Sequence, residues 1–292
     1  MANLKEIRTR IASVKSTRQI TSAMKMVSAA KLKKAQDVVI HLRPYATKLK
    51  QILLQISKNT NPENESDYLR KDEPGKVLIV SITSNKGLCG AFNANIIKRV
   101  NDLITDKYSY LYKEGRVSIF SIGKKGTEIY KAKGYDLSGS DNDLLDQISF
   151  TEVVPLAEDI MQKFVKKELD KVVLVYNRFK NAAVQILTTE QFLPIKMPDQ
   201  VESAEFDDYI FEPDKEYILK DLIPKQLKLQ FYEAVLESLA AEHGARMTAM
   251  HKATDNATTL IRELQLKYNK ARQASITNEI LEIVGGAEAL NK

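Results

Sequence analysis

The two ends of this chain are long stretches in which almost nothing breaks a helix. Residues 3–57 hold no glycine and a single proline, Pro44. Beyond Pro224 there is no further proline, and Gly244 is the one glycine before Gly285 and Gly286. As helices these segments would run roughly 80 and 90 Å, at about 1.5 Å per residue. Neither can bury its own apolar stripe, so each needs a partner. Two such helices at opposite ends of one chain predict an antiparallel coiled coil, with the intervening residues inserted as a separate fold.

The spacing of apolar residues supports this. Leu4, Ile7, Ile11 and Val14 alternate steps of three and four, as do Leu32, Ala35, Val39, Leu42, Ala46, Leu49, Leu53 and Ile56. That heptad rhythm keeps one seam facing a partner helix. Between the two runs, Ile20, Met24 and Val27 predict a small shift of the seam, among the small residues Ser22, Ala23, Ser28, Ala29 and Ala30. Pro44 is a candidate kink, and Asn59-Thr60-Asn61-Pro62 a helix end. In the C-terminal helix the expected seam runs from Leu229 and Tyr232 through Leu236, Leu239, His243, Arg246 and Met250. It continues through Ala253, Ala257, Leu260, Leu264 and Lys267 to Ala271, Ala274, Asn278 and Leu281. It grows smaller and more polar toward its middle, which predicts a coil partly embraced by something else. Gly285-Gly286 is the expected helix stop.

The middle reads as α/β. Strands are expected at 76–83, 116–122, 171–176 and 182–189, and helices at 91–105, 124–133 and 150–169, an alternation that predicts a mostly parallel sheet. Residues 194–214 are acidic, hold three prolines, and read as a surface segment. The fold class is therefore α/β plus long helices: an antiparallel coiled coil of N- and C-terminal helices with an inserted Rossmann-like α/β domain. The expected division is 1–59, 74–195 and 214–289.

Charge is distributed unevenly. Residues 1–58 carry 13 Lys/Arg against 2 Asp/Glu, whereas residues 225–289 carry 8 of each. A basic arm this lopsided forgoes the i,i+4 ion pairs of an ordinary solvated face. It implies an acidic partner surface, a nucleic acid or a membrane face. The helix has no aromatic residue before Tyr45 and no nucleic-acid motif, so an acidic protein surface is favoured. No apolar run is long enough to span a bilayer, and no signal peptide is expected at the charged N-terminus.

Candidate chemistry is sparse. The single cysteine, Cys89, excludes an intrachain disulfide and a cysteine-based metal cluster. Ser84–Asn93 follows a strand and opens a helix, the place where α/β folds hold phosphates. Yet Lys86 precedes the first glycine, and neither glycine-rich phosphate motif is present, so a structural turn is the expected reading. Cys89 at a helix N-terminus is a candidate nucleophile if a histidine approaches it in space, and otherwise a small buried hydrophobe. His243 and His251, eight residues apart, lack metal-ligand spacing and read as helix-face residues. No cofactor or metal is expected.

Three segments carry a resemblance. They are Ile7–Lys15 (IRTRIASVK) with Thr17–Val27 (TRQITSAMKMV), the turn Ser84–Asn93, and Ala271–Ala289 (ARQASITNEILEIVGGAEA). The whole chain resembles the γ subunits of F-type ATP synthases, of the bacterial type. The resemblance implies a non-catalytic rotor shaft that couples proton flow to ATP synthesis or hydrolysis at β-subunit sites. The implied partners are the α and β subunits of an α3β3 ring, the ε subunit and the c-ring, with one copy per complex and no nucleic acid. Membrane contact is implied only through the complex, at the cytoplasmic face of the bacterial inner membrane. Met24, Lys25, Arg272, Gln273 and Thr277 are the implied ring contacts, and Asp207, Asp208, Tyr209 and Glu212 the implied foot near ε and the c-ring. Thiol control through paired cysteines is not expected, because Cys89 stands alone.

Overall fold

A computed structural model describes residues 4–57, 67–69, 75–146, 148–195 and 215–290. They fall into two units, one of Met1–Ser28 with Met247–Lys292 and one of Ala29–Arg246.

In the larger unit, five strands form one sheet. These are β1 (Val77–Ile82), β2 (Val117–Ile122), β3 (Leu137–Asp141), β4 (Lys171–Phe179) and β5 (Gln185–Leu193). Their order is β3-β2-β1-β4-β5. The first four are parallel, and β5 returns antiparallel to β4. The continuous apolar runs of β1 and β4 follow from burial on both faces. Leu78, Val80 and Ile82 of β1, with Val172 and Leu174 of β4, point to one face. Val77, Ile79, Val173 and Val175 point to the other. On the first face lies α5 (Phe150–Val165), whose Val153, Ala157, Ile160 and Phe164 are fully buried. Its N-cap Ser149 accepts the amide of Glu152, the capping arrangement that S-x-x-E encodes. The opposite face is covered by α2 (Phe92–Asp102), which runs into a π-helical turn at Leu103–Lys107. Two shorter helices, α3 (Ser109–Lys113) and α4 (Lys124–Ala132), complete the wrapping.

The terminal helices are α1 (Leu4–Ser57) and α6 (Lys215–Leu290). Both run on through their prolines, Pro44 and Pro224. In the larger unit α6 is apolar nearly all round, because it meets both the sheet and α1. Leu219, Ile223, Leu227 and Phe231 enter the core below α5, and Leu229 packs on Ala46 and Leu49 of α1. In the smaller unit α1 and α6 pair alone, with Ile7 of α1 and Ile261 and Leu264 of α6 buried.

Several sequence expectations need correction. The α1 seam does not shift at its middle. Ile20 and Val27 are 57% and 58% exposed, while Thr21 and Ser28 are buried at 9% and 3%. The heptad therefore runs unbroken through Ile7, Val14, Thr21, Ser28 and Ala35. It was hidden because small polar residues occupy two of its positions. In α6 beyond Met250, Thr254, Ile261, Tyr268 and Ser275 take the places expected of Ala253, Leu260, Lys267 and Ala274. Asn278 and Leu281 are exposed. The helix passes through Gly285-Gly286 instead of stopping there. α3 and β3 were not foreseen. β3 reads LSGSD, half-exposed at an edge, where Gly139 admits the ring of Phe120; an added Cβ would lie 2.7 Å from that ring.

Candidate functional site

In a sheet ordered 3-2-1-4-5, the crevice between the carboxyl ends of β1 and β4 is where doubly wound folds take ligands. Here α6 enters that crevice. Ser238 Oγ donates to the carbonyl of Ile82 at 3.4 Å, at the end of β1. The Glu237 carboxylate accepts the Phe179 amide at the end of β4, 2.9 Å, and Arg43 Nη2 of α1, 2.6 Å. One helical turn further, Glu242 receives Arg246 Nη1 at 2.5 Å. Arg246 Nη2 donates to the Lys86 carbonyl at 2.7 Å, and Arg246 Nε to that of Gly87 at 3.3 Å.

The loop that meets Arg246 is built for this. Leu88 and Gly90 both take φ of 62°. Ser84 and Asn93 bind each other across it, with Asn93 Oδ1 accepting the Ser84 amide at 3.0 Å. The groups it turns toward α6 are carbonyl oxygens. A phosphate cradle needs N–H donors, so this loop suits a cation, and the guanidinium of Arg246 fills that role.

Burial sets the electrostatics. It pushes the Glu242 carboxyl above the usual carboxylate range, against the downward pull of Arg246. It holds His243 down at about 4, with Arg246 and Lys31 adding to the effect. Arginine only donates, so His243 Nδ1, 3.5 Å from Arg246 Nη1, is the acceptor nitrogen of a neutral ring. Cys89 lies 3.4 Å from Asn93 Nδ2, and burial raises its thiol. Its hydrogen-bond partners among the described residues, Ser84, Lys86 and Asn93, include no histidine, and it packs in the core under α2, so the structure favours the packing reading of Cys89.

The implied ring-contact residues lie in the smaller unit. Met24 and Lys25 are half-buried on α1; Arg272, Gln273 and Thr277 are exposed on α6. Thr277 Oγ1 donates to the Gln273 carbonyl at 2.9 Å. Thr21 and Thr254 meet across the pair, their hydroxyls 2.8 Å apart. In antiparallel register, that anchor sets Arg272 opposite the very start of α1. Met24 is then about 30 Å away along the axis, counted at 1.5 Å per residue. The two groups thus lie at separate levels of the helix pair. Asp207, Asp208, Tyr209 and Glu212 lie outside the described residues.

The sequence matches the family described as "ATP synthase" over residues 3–290. It is 57% identical over 291 residues to the ATP synthase gamma chain of Christiangramia forsetii, covering 100% of both chains. It is 47% identical to that of Chlorobium phaeobacteroides over 293 residues, 99% of each chain. The chain belongs to the ATP synthase gamma chain family. Among solved structures, a chain from the central stalk and c-ring of the Tetrahymena thermophila mitochondrial ATP synthase superposes with a TM-score of 0.60 at 27% identity, covering 80% of this chain and 99% of that one. A chain from the Euglena gracilis mitochondrial enzyme gives a TM-score of 0.68 at 23% identity, covering 98% and 94%, a likeness of fold. As a gamma chain, the molecule is the central rotor shaft of the synthase and a non-catalytic part of it.

What sequence reasoning missed in this gamma chain is the buried polar cluster. Arg246 and His243 were placed on the coiled-coil seam, and Glu242 was not singled out. One signal was available. Gly244 sits mid-helix, where glycine costs about 1 kcal/mol relative to alanine. A Cβ there would meet the backbone of Ala182 and the ring of Phe179, each at 3.3 Å. An interior helical glycine flanked by Glu242, His243 and Arg246 marks a close approach of another backbone.

Proposed function

We propose that this chain turns inside an α3β3 ring and couples proton flow through the membrane sector to ATP synthesis or hydrolysis at the β-subunit sites. The observation that carries the reading is the surface of the paired helices. Arg8, Arg10, Lys15 and Arg18 of α1 are all exposed, with no acidic neighbour on the helix between Glu6 and Asp37. Acidic segments of the ring subunits are the complementary surface. Arg272 and Gln273 engage one loop of the ring, with Thr277 beside them. Met24 and Lys25 engage a second zone, further along α1.

The foot is assigned to Asp207, Asp208, Tyr209 and Glu212, facing ε and the c-ring. One copy serves each complex. The complex holds the chain at the cytoplasmic face of the bacterial inner membrane; among the described residues no helix is long and apolar enough to cross a membrane. The working division is 1–59 and 214–289 as the helical shaft, with 74–195 as the α/β body.

Reconstitution tests this. The chain is mixed with cognate α and β subunits, and ATP hydrolysis is measured with the full chain and with a chain truncated after Lys270. Hydrolysis that requires the chain and weakens on truncation is the expected result. A full-length chain that neither joins the complex nor changes its rate would overturn the proposal.

A further inference from the structure

The crevice at the carboxyl ends of β1 and β4 holds a charged residue of the chain's own helix where related architectures hold a ligand. Arg246 is buried, and its three nitrogens reach acceptors on two elements: Glu242 on its own helix, and the Lys86 and Gly87 carbonyls on the β1–α2 loop. That is a fork geometry no other side chain supplies. The loop is rigid on its far side as well. Asn85 Nδ2 donates to the Asn142 carbonyl at 2.6 Å, and Asn85 Oδ1 accepts the Lys124 amide at 3.0 Å. A rotation of α6 about its axis would therefore have to break the Arg246 fork or carry the loop, and with it β1, α2 and α4, along.

We propose that Arg246, held by Glu242, is a positioning residue that fixes the rotational phase of the α/β unit relative to α6, so that the body and the shaft turn as one. The inference rests on the rotor reading above and goes beyond it by naming the joint. Glu237 and Ser238 form a second attachment more than two turns earlier, but each gives the sheet a single bond, to the Phe179 amide and the Ile82 carbonyl. Glu237 is also tied to Arg43 of α1. Arg246 alone pins a loop at two consecutive carbonyls.

The test uses Arg246→Gln, Arg246→Lys, the double variant Glu242→Gln/Arg246→Gln, and Arg262→Gln as an exposed control on the same helix. Two readouts are taken. The first is amide exchange of residues 84–91 in the full purified chain. The second is proton pumping per ATP hydrolysed, in vesicles, by complexes that have assembled. Arg246→Gln is expected to speed exchange of the loop about tenfold or more and to lower assembly, since it leaves the Glu242 carboxylate buried alone. The double variant removes that lone charge. It should recover assembly but keep the fast loop and a reduced pumping ratio.

A merely structural role predicts otherwise: in the double variant, pumping per ATP would return to the wild-type value. That result, or an unchanged loop in all variants, overturns the proposal. Lysine, a point charge, is expected to rescue the ratio only in part. If the wild-type chain itself fails to join the complex, the rotor reading falls while the exchange experiment still decides whether Arg246 locks the loop.

Discussion

Lowering the pH should destabilise this protein through His243, and the size of the effect follows from its surroundings. The ring is buried beside Arg246 and within reach of the Lys31 charge; Glu242 shares that arginine, and Lys86 and Cys89 stand on the facing loop. Its folded pKa is about 4 against 6.5 for the free side chain. The sign follows from which state binds the proton. Above pH 6.5 both states are neutral and the residue contributes no slope. As pH falls through 6.5 the unfolded chain takes up a proton that the folded one refuses, and stability drops until the folded pKa is reached. Each unit of separation is worth about 1.4 kcal/mol, so from pH 7.5 to pH 5.0 the loss from this group alone is about 2 kcal/mol. Glu242 has the opposite tendency, because its raised pKa favours proton uptake by the folded state. It is present in both proteins when wild type is compared with His243→Gln, whose amide oxygen can still accept from Arg246. Urea unfolding at both pH values, followed by circular dichroism, measures the difference. The wild type should lose about 2 kcal/mol more than His243→Gln over that interval. Equal losses would mean that His243 is not held neutral in the fold, and the reading of the cluster would be wrong.

Other outcomes test other parts of the structure. Gly123 has φ of 99°, and a Cβ there would stand 2.4 Å from the Thr83 carbonyl oxygen. Gly123→Ala combines backbone strain with overpacking and should cost about 4 kcal/mol, read from the urea midpoint. The Cys89 thiol, buried and raised by that burial, should react with a disulfide reagent at neutral pH roughly a hundredfold slower in the native chain than in urea. On α1, Leu32→Ala should cost about 2–4 kcal/mol. Ile20→Ser and Val27→Ser should each stay within about 0.5 kcal/mol in the isolated chain. A large loss at Ile20 would show that the seam does shift as its apolar residues suggest.

How much was legible in the sequence depended on what covers each segment. β1 and β4 are buried on both faces, and their uninterrupted Val/Ile/Leu runs could be read directly. The upper α1 seam from Leu32 to Leu53 was equally plain, because aliphatic residues fill it. Thr21 and Ser28 broke that reading, since a pattern search follows apolar residues and the heptad continues in small polar ones. β5 was placed three residues early because Ala182 and Ala183 belong to the turn, where Asn181 Oδ1 accepts the amides of Ala183 and Val184 at 3.0 and 2.8 Å. The Arg246 cluster left only the faint signal of Gly244, for another reason. Its partners are backbone carbonyls, which carry no residue signature, and they lie about 160 residues away in the chain. The resemblance to the family needed none of this, because it rested on contiguous motifs at the two ends and in the Ser84–Asn93 turn.

The course of α6 shows why one helix carries three kinds of sequence. Between Leu219 and Arg246 it packs on the sheet and on α1, and nearly every side is apolar or internally bonded. From Met247 to Ser275 only α1 covers it, and a single stripe remains: Met250, Thr254, Ala257, Ile261, Leu264. Beyond Ser275 the register leaves no α1 residue to pair with, and Ile276, Ile280, Leu281, Ile283 and Val284 are all exposed. A bare helix end of this kind is an association surface in any soluble protein, and glycines at 285 and 286 make it a poor helix on propensity alone. At about 100° per residue, 276, 280, 283 and 284 fall within one arc of about 100°, with 281 at its edge, so the exposed apolar residues form one stripe. On the rotor reading proposed above, a stripe of this kind is presented to each surrounding surface in turn as the shaft rotates, and its side chains are scattered enough along the helix to keep each contact shallow.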